Sequence, residues 1–259
     1  MKLIGLVSLL FFATALGVPG RAATPAQQKT QPQGPGVSIL QEPDHHLLYE
    51  NADMRIFDVI VPPHQSTLLH RENYDFLIIS LDKSKITLQR IGLSPVQLKL
   101  PEGAVRFFRG GYSQTVTNDG NRPFRNVMIE FLNPLTSGGC SCTGGPADAI
   151  CGCPNASPLP ANWERRIGKV IVAGVTLAPG ASYSIASQMT TRFLVAVTPF
   201  DVLNDSVHEP RHVEVRLPAG RFHWLSPGLN TVQNLSSQPL RFVKIEFWGT
   251  PVNPPAGTD

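Results

Sequence analysis

LPEGAVRFFRGGYSQTVTNDGNRPFRNVMIEF, spanning Leu100–Phe131, and LPAGRFHWLSPGLNTVQNLSSQPLRFVKIEF, spanning Leu217–Phe247, are one segment written twice. Asn118 and Asn234, Pro123 and Pro239, Arg125 and Arg241, and Glu130 and Glu246 each stand 116 positions apart. Leu100 and Leu217 stand 117 apart, so one residue is lost within the second copy. The repetition continues outward: Pro63 matches Pro179 at the same offset, and RIFDVIV before it matches KVIVAGVTL. Internal repetition takes precedence over any assignment of elements. It makes this chain a tandem duplication of one domain.

Each copy reads as strands. Short apolar runs, Phe76–Leu81 and Val127–Leu132 in the first and Phe193–Val197 and Phe242–Phe247 in the second, are separated by clusters of Gly, Pro, Asn and Asp. That is the pattern of short strands and tight turns. No window carries the 3.6-residue apolar period of a helix, so helices are expected to be few and short. About 100 residues of short strands per copy suit a compact antiparallel barrel or jelly roll. The competing immunoglobulin sandwich lacks support, because no Cys–Trp–Cys spacing is present.

The flanks are of a different kind. Lys2, the apolar Leu3–Leu16 and the small residues Gly17, Gly20, Ala22 and Ala23 form a signal peptide over residues 1–23, with an uncleaved anchor as the alternative. The apolar stretch is shorter than the ~20 residues a comfortable membrane span needs. Residues 24–36, rich in Pro, Gln and Gly, read as a disordered spacer. The domains then fall at 37–134 and 163–250, joined by a loop at 135–162 and followed by a tail at 251–259. The mature protein is expected to be secreted or periplasmic, with no membrane attachment after cleavage.

The 259 residues, 42% of them apolar, suffice for sizeable cores, and a net charge of +3 without a basic block excludes a nucleic-acid partner. All four cysteines, Cys140, Cys142, Cys151 and Cys153, lie in the joining loop as two CxC pairs. In an exported protein this predicts two disulfides running from one pair to the other, since a bridge within CxC closes a strained ring. A four-thiolate zinc site is the alternative, although CxxC is its usual spacing.

Polar side chains concentrate in VPPHQSTLLHRENYDFLIISL, Val61–Leu81, where His70, Glu72 and Asp75 precede an apolar run. His70 and Glu72 alternate along a strand and so share a face. This segment resembles the first motif of the cupin superfamily, with His64 at its Gly position, His70 at the first His, Glu72 at the second His and Asp75 one residue short of the Glu. Arg109–Asn118 resembles the second cupin motif, with Gly111 and Asn118 matching and Gln114 at the metal-binding His. The stretch Tyr49–Arg55 is similar to the ENxxxR entry strand of small bacterial cupins. The resemblance, covering about 44–131 and 166–248, implies two double-stranded β-helix (jelly-roll) barrels in tandem, a bicupin.

The same resemblance implies that most metal ligands are gone. Several imidazoles and a carboxylate would hold Mn, Fe, Ni, Cu or Zn firmly, whereas here one imidazole stands with two carboxylates and an amide. The second copy presents Ala186, Gln188 and Asn230 at those addresses. Three readings of His70, Glu72, Asp75 and Gln114 stay open: a vestigial polar network, a metal-free pocket for a small polar molecule to which Gln188 and Asn230 are also assigned, or a divalent metal site (Mn, Fe, Ni or Zn). The function expected is binding or structural rather than catalytic, with a dioxygenase, decarboxylase or isomerase type of cupin enzyme as the rival. A monomer or homodimer is expected. His45 and His46 read as surface residues ahead of the first strand, the HEPRHVE cluster of His208, His212 and Glu214 as a solvated hairpin loop, and Trp224 beside His223 as wall or core.

Overall fold

The computed structural model describes residues 35–135, 162–188, 190–206 and 213–247. The signal-like N-terminus, all four cysteines, His208 and His212 lie outside the described residues. Described residues of both copies belong to one compact unit, Gln33–Asp259.

In chain order the first copy forms β1 (Val37–Ser38), a single 3-10 turn at Ile39–Gln41, β2 (His45–Glu50), β3 (Met54–Val61), β4 (His70–Glu72) and β5 (Asp75–Ser80). It continues through β6 (Ser84–Arg90), β7 (Val96–Leu100), β8 (Val105–Phe108), β9 (Tyr112–Asn118) and β10 (Phe124–Phe131). The second copy forms β11 (Trp163–Ile167), β12 (Val170–Leu177), β13 (Ser182–Gln188), β14 (Thr191–Ala196) and β15 (Phe200–Ser206). It closes with β16 (Val213–Leu217), β17 (Phe222–Leu225), β18 (Gly228–Asn234) and β19 (Leu240–Phe247). The structure is all-β, and the 3-10 turn is the one helical element among the described residues.

Each copy folds as two facing sheets. The first has the orders β1-β4-β9-β6-β7 and β2-β3-β10-β5-β8; the second has β11-β12-β19-β14-β17 and β13-β18-β15-β16. All pairings are antiparallel except the short β1–β4 contact. The matching strand orders are the structural form of the sequence repeat. Backbone conformation repeats too: His64 and Gly180, 116 apart, both take positive φ (57° and 72°), and each donates its N–H at 3.0 Å to the carbonyl of the repeated asparagine, Asn118 or Asn234. The left-handed conformation favours glycine, and the first copy places a histidine there.

Strand alternation sorts the apolar residues into three cores. Phe57, Val59, Phe76, Phe124 and Met128 fill the first barrel, and Val175, Leu194, Phe200 and Phe242 the second. The opposite faces of β10 and β19 (Val127, Ile129, Phe131; Val243, Ile245, Phe247) meet in a third core between the barrels. The rings of Phe131 and Phe247, equivalent residues of the two copies, lie 6.1 Å apart there. Trp224 joins this core, 4.9 Å from Phe193 and 5.2 Å from Tyr49, as its place on a wall strand suggested.

Pro35 and Gly36, the last two residues of the expected spacer, touch the first barrel. Ser113 donates to the Pro35 carbonyl at 2.7 Å and Arg71 to that of Gly36, which ties these two residues to the first barrel.

Candidate functional site

Antiparallel pairing of β4 with β9 sets His70 opposite Gln114 and Glu72 opposite Tyr112. Both strands turn these side chains inward, so His70, Glu72 and Gln114 are 0%, 1% and 3% exposed. They form one chain of contacts. His70 Nε2 lies 3.1 Å from Glu72 Oε1, and Gln114 Nε2 donates to that same oxygen at 2.8 Å. His70 Nδ1 lies 2.9 Å from the Leu68 carbonyl. Both ring nitrogens therefore face acceptors, the arrangement of an imidazolium. Burial opposes charge on His70, but the hydrogen bond and charge of Glu72, the Leu68 carbonyl and Glu42 outweigh it and raise its pKa.

A second histidine–glutamate pair stands beside the first. His45 opens β2 with its side chain only 4% exposed, which corrects its reading as a surface residue ahead of the strands. Its Nδ1 is 2.6 Å from Glu42 Oε2, and its ring centre is 5.1 Å from that of His70. Glu42 also accepts from the N–H groups of Asp44 (2.8 Å) and Leu68 (3.1 Å). Burial raises the Glu42 pKa, yet these hydrogen bonds and His45 hold it below the usual value. His46 is exposed.

Asp75 is not brought to the cluster. The turn after Glu72 carries the chain into the other sheet, where Phe76 takes the inward position and Asp75 the outward one. Its carboxylate holds Arg109 at 2.7 Å and the Gly110 N–H at 3.1 Å. Glu130, on the inward face of β10, is fully buried instead, with Oε2 accepting from Arg55 at 3.1 Å. Burial and the charge of Glu72 raise its pKa to about 7 against the pull of Arg55. Burial, with the same Glu72 charge, pushes the Tyr112 hydroxyl well up as well.

Between the sheets lies a cavity of about 30 Å³, walled by Phe76, Phe108, Phe124 and Met128 and reached by His45, Glu72, Gln114 and Asn126. At roughly 10–15 Å³ per water it has room for about two. Glu72 Oε2, Gln114 Oε1 and Asn126 Oδ1 are buried there without a hydrogen-bond partner. All three of these atoms are acceptors. Among the described residues no three His, Cys, Asp or Glu side chains converge as a metal would require. The donor set does not fit one as it stands: Glu72 engages His70 Nε2, and Gln114 turns its nitrogen, not its oxygen, to Glu72.

No family model and no curated protein matches the sequence. Solved structures do match in fold. YhaK from Escherichia coli is 15% identical, with a TM-score of 0.53, over 80% of this chain and 88% of its own. AerE from Microcystis aeruginosa is 11% identical, with a TM-score of 0.51, over 80% and 98%. The oxalate decarboxylase of Lactobacillus farciminis, in its formate complex, is 11% identical, with a TM-score of 0.51, over 80% and 85%. The fold is that of a bicupin.

The second barrel is built differently at the corresponding place. Asn230 pairs across the strands with Ile185, not with Ala186, because the β13 register shifts between Ile185 and Gln188, which pairs with Gly228. Ile185 is thus the buried side chain opposite Asn230, and Ala186 is exposed. Asn230 is itself fully buried and donates to the carbonyls of Ser226 (2.8 Å) and Gly228 (3.2 Å). Arg192, 0% exposed, fills this end of the barrel: its guanidinium donates to the carbonyls of Ala186 (2.6 Å), Ser226 (3.3 Å) and Gly228. Burial lowers its pKa, while the charge of Glu246 acts the other way.

Sequence reasoning missed Glu42, His45, Glu130 and Arg192. Glu130 and Arg192 were within reach, since each is a charge at an inward position of an otherwise apolar strand. The repeated Asn118 and Asn234 prove to be turn fasteners: Asn118 Nδ2 donates to the carbonyls of Val61 (2.9 Å) and Arg122 (2.8 Å), and Asn234 Nδ2 to those of Leu177 (3.2 Å) and Gln238 (2.9 Å).

Proposed function

We propose that this protein is an exported, non-catalytic bicupin whose first barrel binds a small polar molecule and whose second barrel is its structural partner. One observation carries the reading: the first-barrel cavity collects buried acceptors without partners at the place where His70, Glu72 and Gln114 meet. Buried polar groups are normally paired, and unpaired ones mark a missing water, ion or ligand. A partner that donates would satisfy these three oxygens. Export is supported by the charged and apolar leader, and a monomer by a pairing core that already lies within one chain.

A metal-dependent cupin enzyme is the second reading, favoured by one detail. His70 Nδ1 is fixed on the Leu68 carbonyl, as ligating histidines are fixed by their outer shell. His70, Glu72 and Gln114 would then be the residues involved. Elemental analysis of the purified full chain separates the two, with His70→Ala and Glu72→Ala alongside. Near-stoichiometric Mn, Fe, Ni or Zn lost in both variants overturns the metal-free reading. The expected result is metal-free protein whose melting temperature rises with a small donor-bearing compound, since native-state binding at 100 times Kd adds about 2.7 kcal/mol.

A further inference from the structure

The duplication lets one barrel serve as the reference for the other. Position 76 is paired with position 130, and position 192 with position 246, in identical strand registers. The carboxylate is kept in both copies, as Glu130 and Glu246. Its surroundings are not. In the second barrel Lys244 Nζ lies 3.1 Å from Glu246 Oε2, Thr190 donates to Oε1 at 2.8 Å, and Arg192 stands on the facing strand. The positions of Arg192 and Lys244 are held in the first barrel by Phe76 and Met128, and both of these line the cavity.

The first barrel buries Glu72 as well as Glu130, with His70 and Arg55 beside them. His70 and Arg55 each engage one oxygen, of Glu72 and of Glu130 respectively, which leaves Glu72 Oε2 and Glu130 Oε1 without partners. Gln114 Oε1 and Asn126 Oδ1 add two neutral acceptors, each on a side chain at most 3% exposed. Buried acceptors in this state are costly unless N–H or O–H donors join them. In the second barrel the side chain at the Phe76 position is Arg192, a guanidinium that donates to backbone carbonyls, while Lys244 and Thr190 meet Glu246.

Resting on the ligand-binding reading above, we infer that the first barrel takes a small organic cation, an ammonium or guanidinium group, where the second barrel carries Arg192. The aromatic wall suits such a group, because the lining includes Phe76, Phe108 and Phe124, and aromatic rings attract cations. The ligand donates to Glu72 Oε2 and Gln114 Oε1, and Glu72 is the carboxylate beside it.

The test is thermal unfolding of the full chain with methylammonium chloride, guanidinium chloride at low millimolar concentration, glycerol or MnCl2, at ionic strength held constant with NaCl. Either cation is expected to raise the melting temperature saturably. Binding should weaken at least tenfold in Glu72→Gln and in Gln114→Leu, and be abolished in Phe76→Arg, which tethers a guanidinium inside the barrel. The surface variant Glu214→Gln should bind as the parent does. Stabilisation by glycerol alone, lost in Glu72→Gln, overturns the cation assignment and leaves the polar-ligand reading standing. Stabilisation by MnCl2 alone, or by cations equally in parent and Glu72→Gln, overturns the assignment. No response to any probe overturns both readings.

Discussion

Replacing Glu130 with Gln should make the protein more stable at pH 8 and hardly change it at pH 4.5. Glu130 is fully buried, one oxygen accepts from Arg55 at 3.1 Å, and the other has no partner. Burial first, then the charge of Glu72, raise its pKa from 4.5 to about 7, with Arg55 opposing. Between those values the folded state keeps a proton that the unfolded chain has released. Stability therefore falls as pH rises through that window and changes no further above it. At ~1.4 kcal/mol for each tenfold, the rise of 2.5 between the two values is worth about 3 kcal/mol. The Gln side chain keeps the shape and an acceptor for Arg55 but cannot ionise. His70, whose raised pKa also removes stability with rising pH from about 6.5 upward, is present in both proteins and drops out of their difference. Urea unfolding of both proteins from pH 4.5 to 8 gives that difference directly. It should grow by about 3 kcal/mol in favour of Glu130→Gln, and parallel curves would refute the burial argument.

The remaining variants test the other charged groups and one close contact. His70→Ala strands the Glu72 carboxylate in the barrel and should cost about 3–5 kcal/mol, whereas His70→Ala/Glu72→Ala should recover part of that loss; a double-mutant cycle by urea unfolding that finds strict additivity would dismiss the pair. Arg192→Met removes a buried charge but takes the guanidinium donor from the Ala186 carbonyl, while those of Ser226 and Gly228 keep only Asn230. At about 1–3 kcal/mol for each unsatisfied group it should destabilise, and a higher melting temperature than the parent would contradict this. Gly110→Ala puts a Cβ 2.4 Å from the Tyr74 backbone, which cannot move aside as a side chain would. That turn anchors Asp75, so poor soluble expression and a lower melting temperature are expected, and a parent-like melt would show that the turn yields.

How much of this was legible depends on whether a residue's place follows from its own strand. His70 and Glu72 are two apart on one strand, so their shared face needs no tertiary knowledge, and the repeat supplied the address of Gln114. Asp75 failed because the turn between β4 and β5 changes sheets. Past that turn, strand parity counts from Phe76 instead of Glu72. A register shift in β13 moved Ile185 into the place that gapless counting gave to Ala186. His45 and Glu42 were invisible for another reason. Their partners, His70 and Leu68, lie more than 20 positions away, and the short His45–Glu50 strand has no alternation that marks it as a barrel wall.

The two copies also record which surfaces their pairing constrains. On β10 and β19 the faces turned to the shared core are identical, Val127 and Val243, Ile129 and Ile245, Phe131 and Phe247. The faces turned into the barrels differ, Asn126 against Phe242 and Met128 against Lys244, as do Phe76 and Arg192 on the neighbouring strands. A residue in the shared core packs against both copies, so a change there must be matched across the interface. An interior residue answers only to its own barrel. Glu130 and Glu246 are the informative exception, inward-facing yet identical, and their partners have diverged around them. The second barrel answers its carboxylate with lysine and threonine, with a buried arginine on the facing strand. Having Phe76 and Met128 instead, the first barrel leaves an oxygen of Glu130 and one of Glu72 without a partner, and in the function proposed above the Glu72 oxygen is the one that meets the ligand.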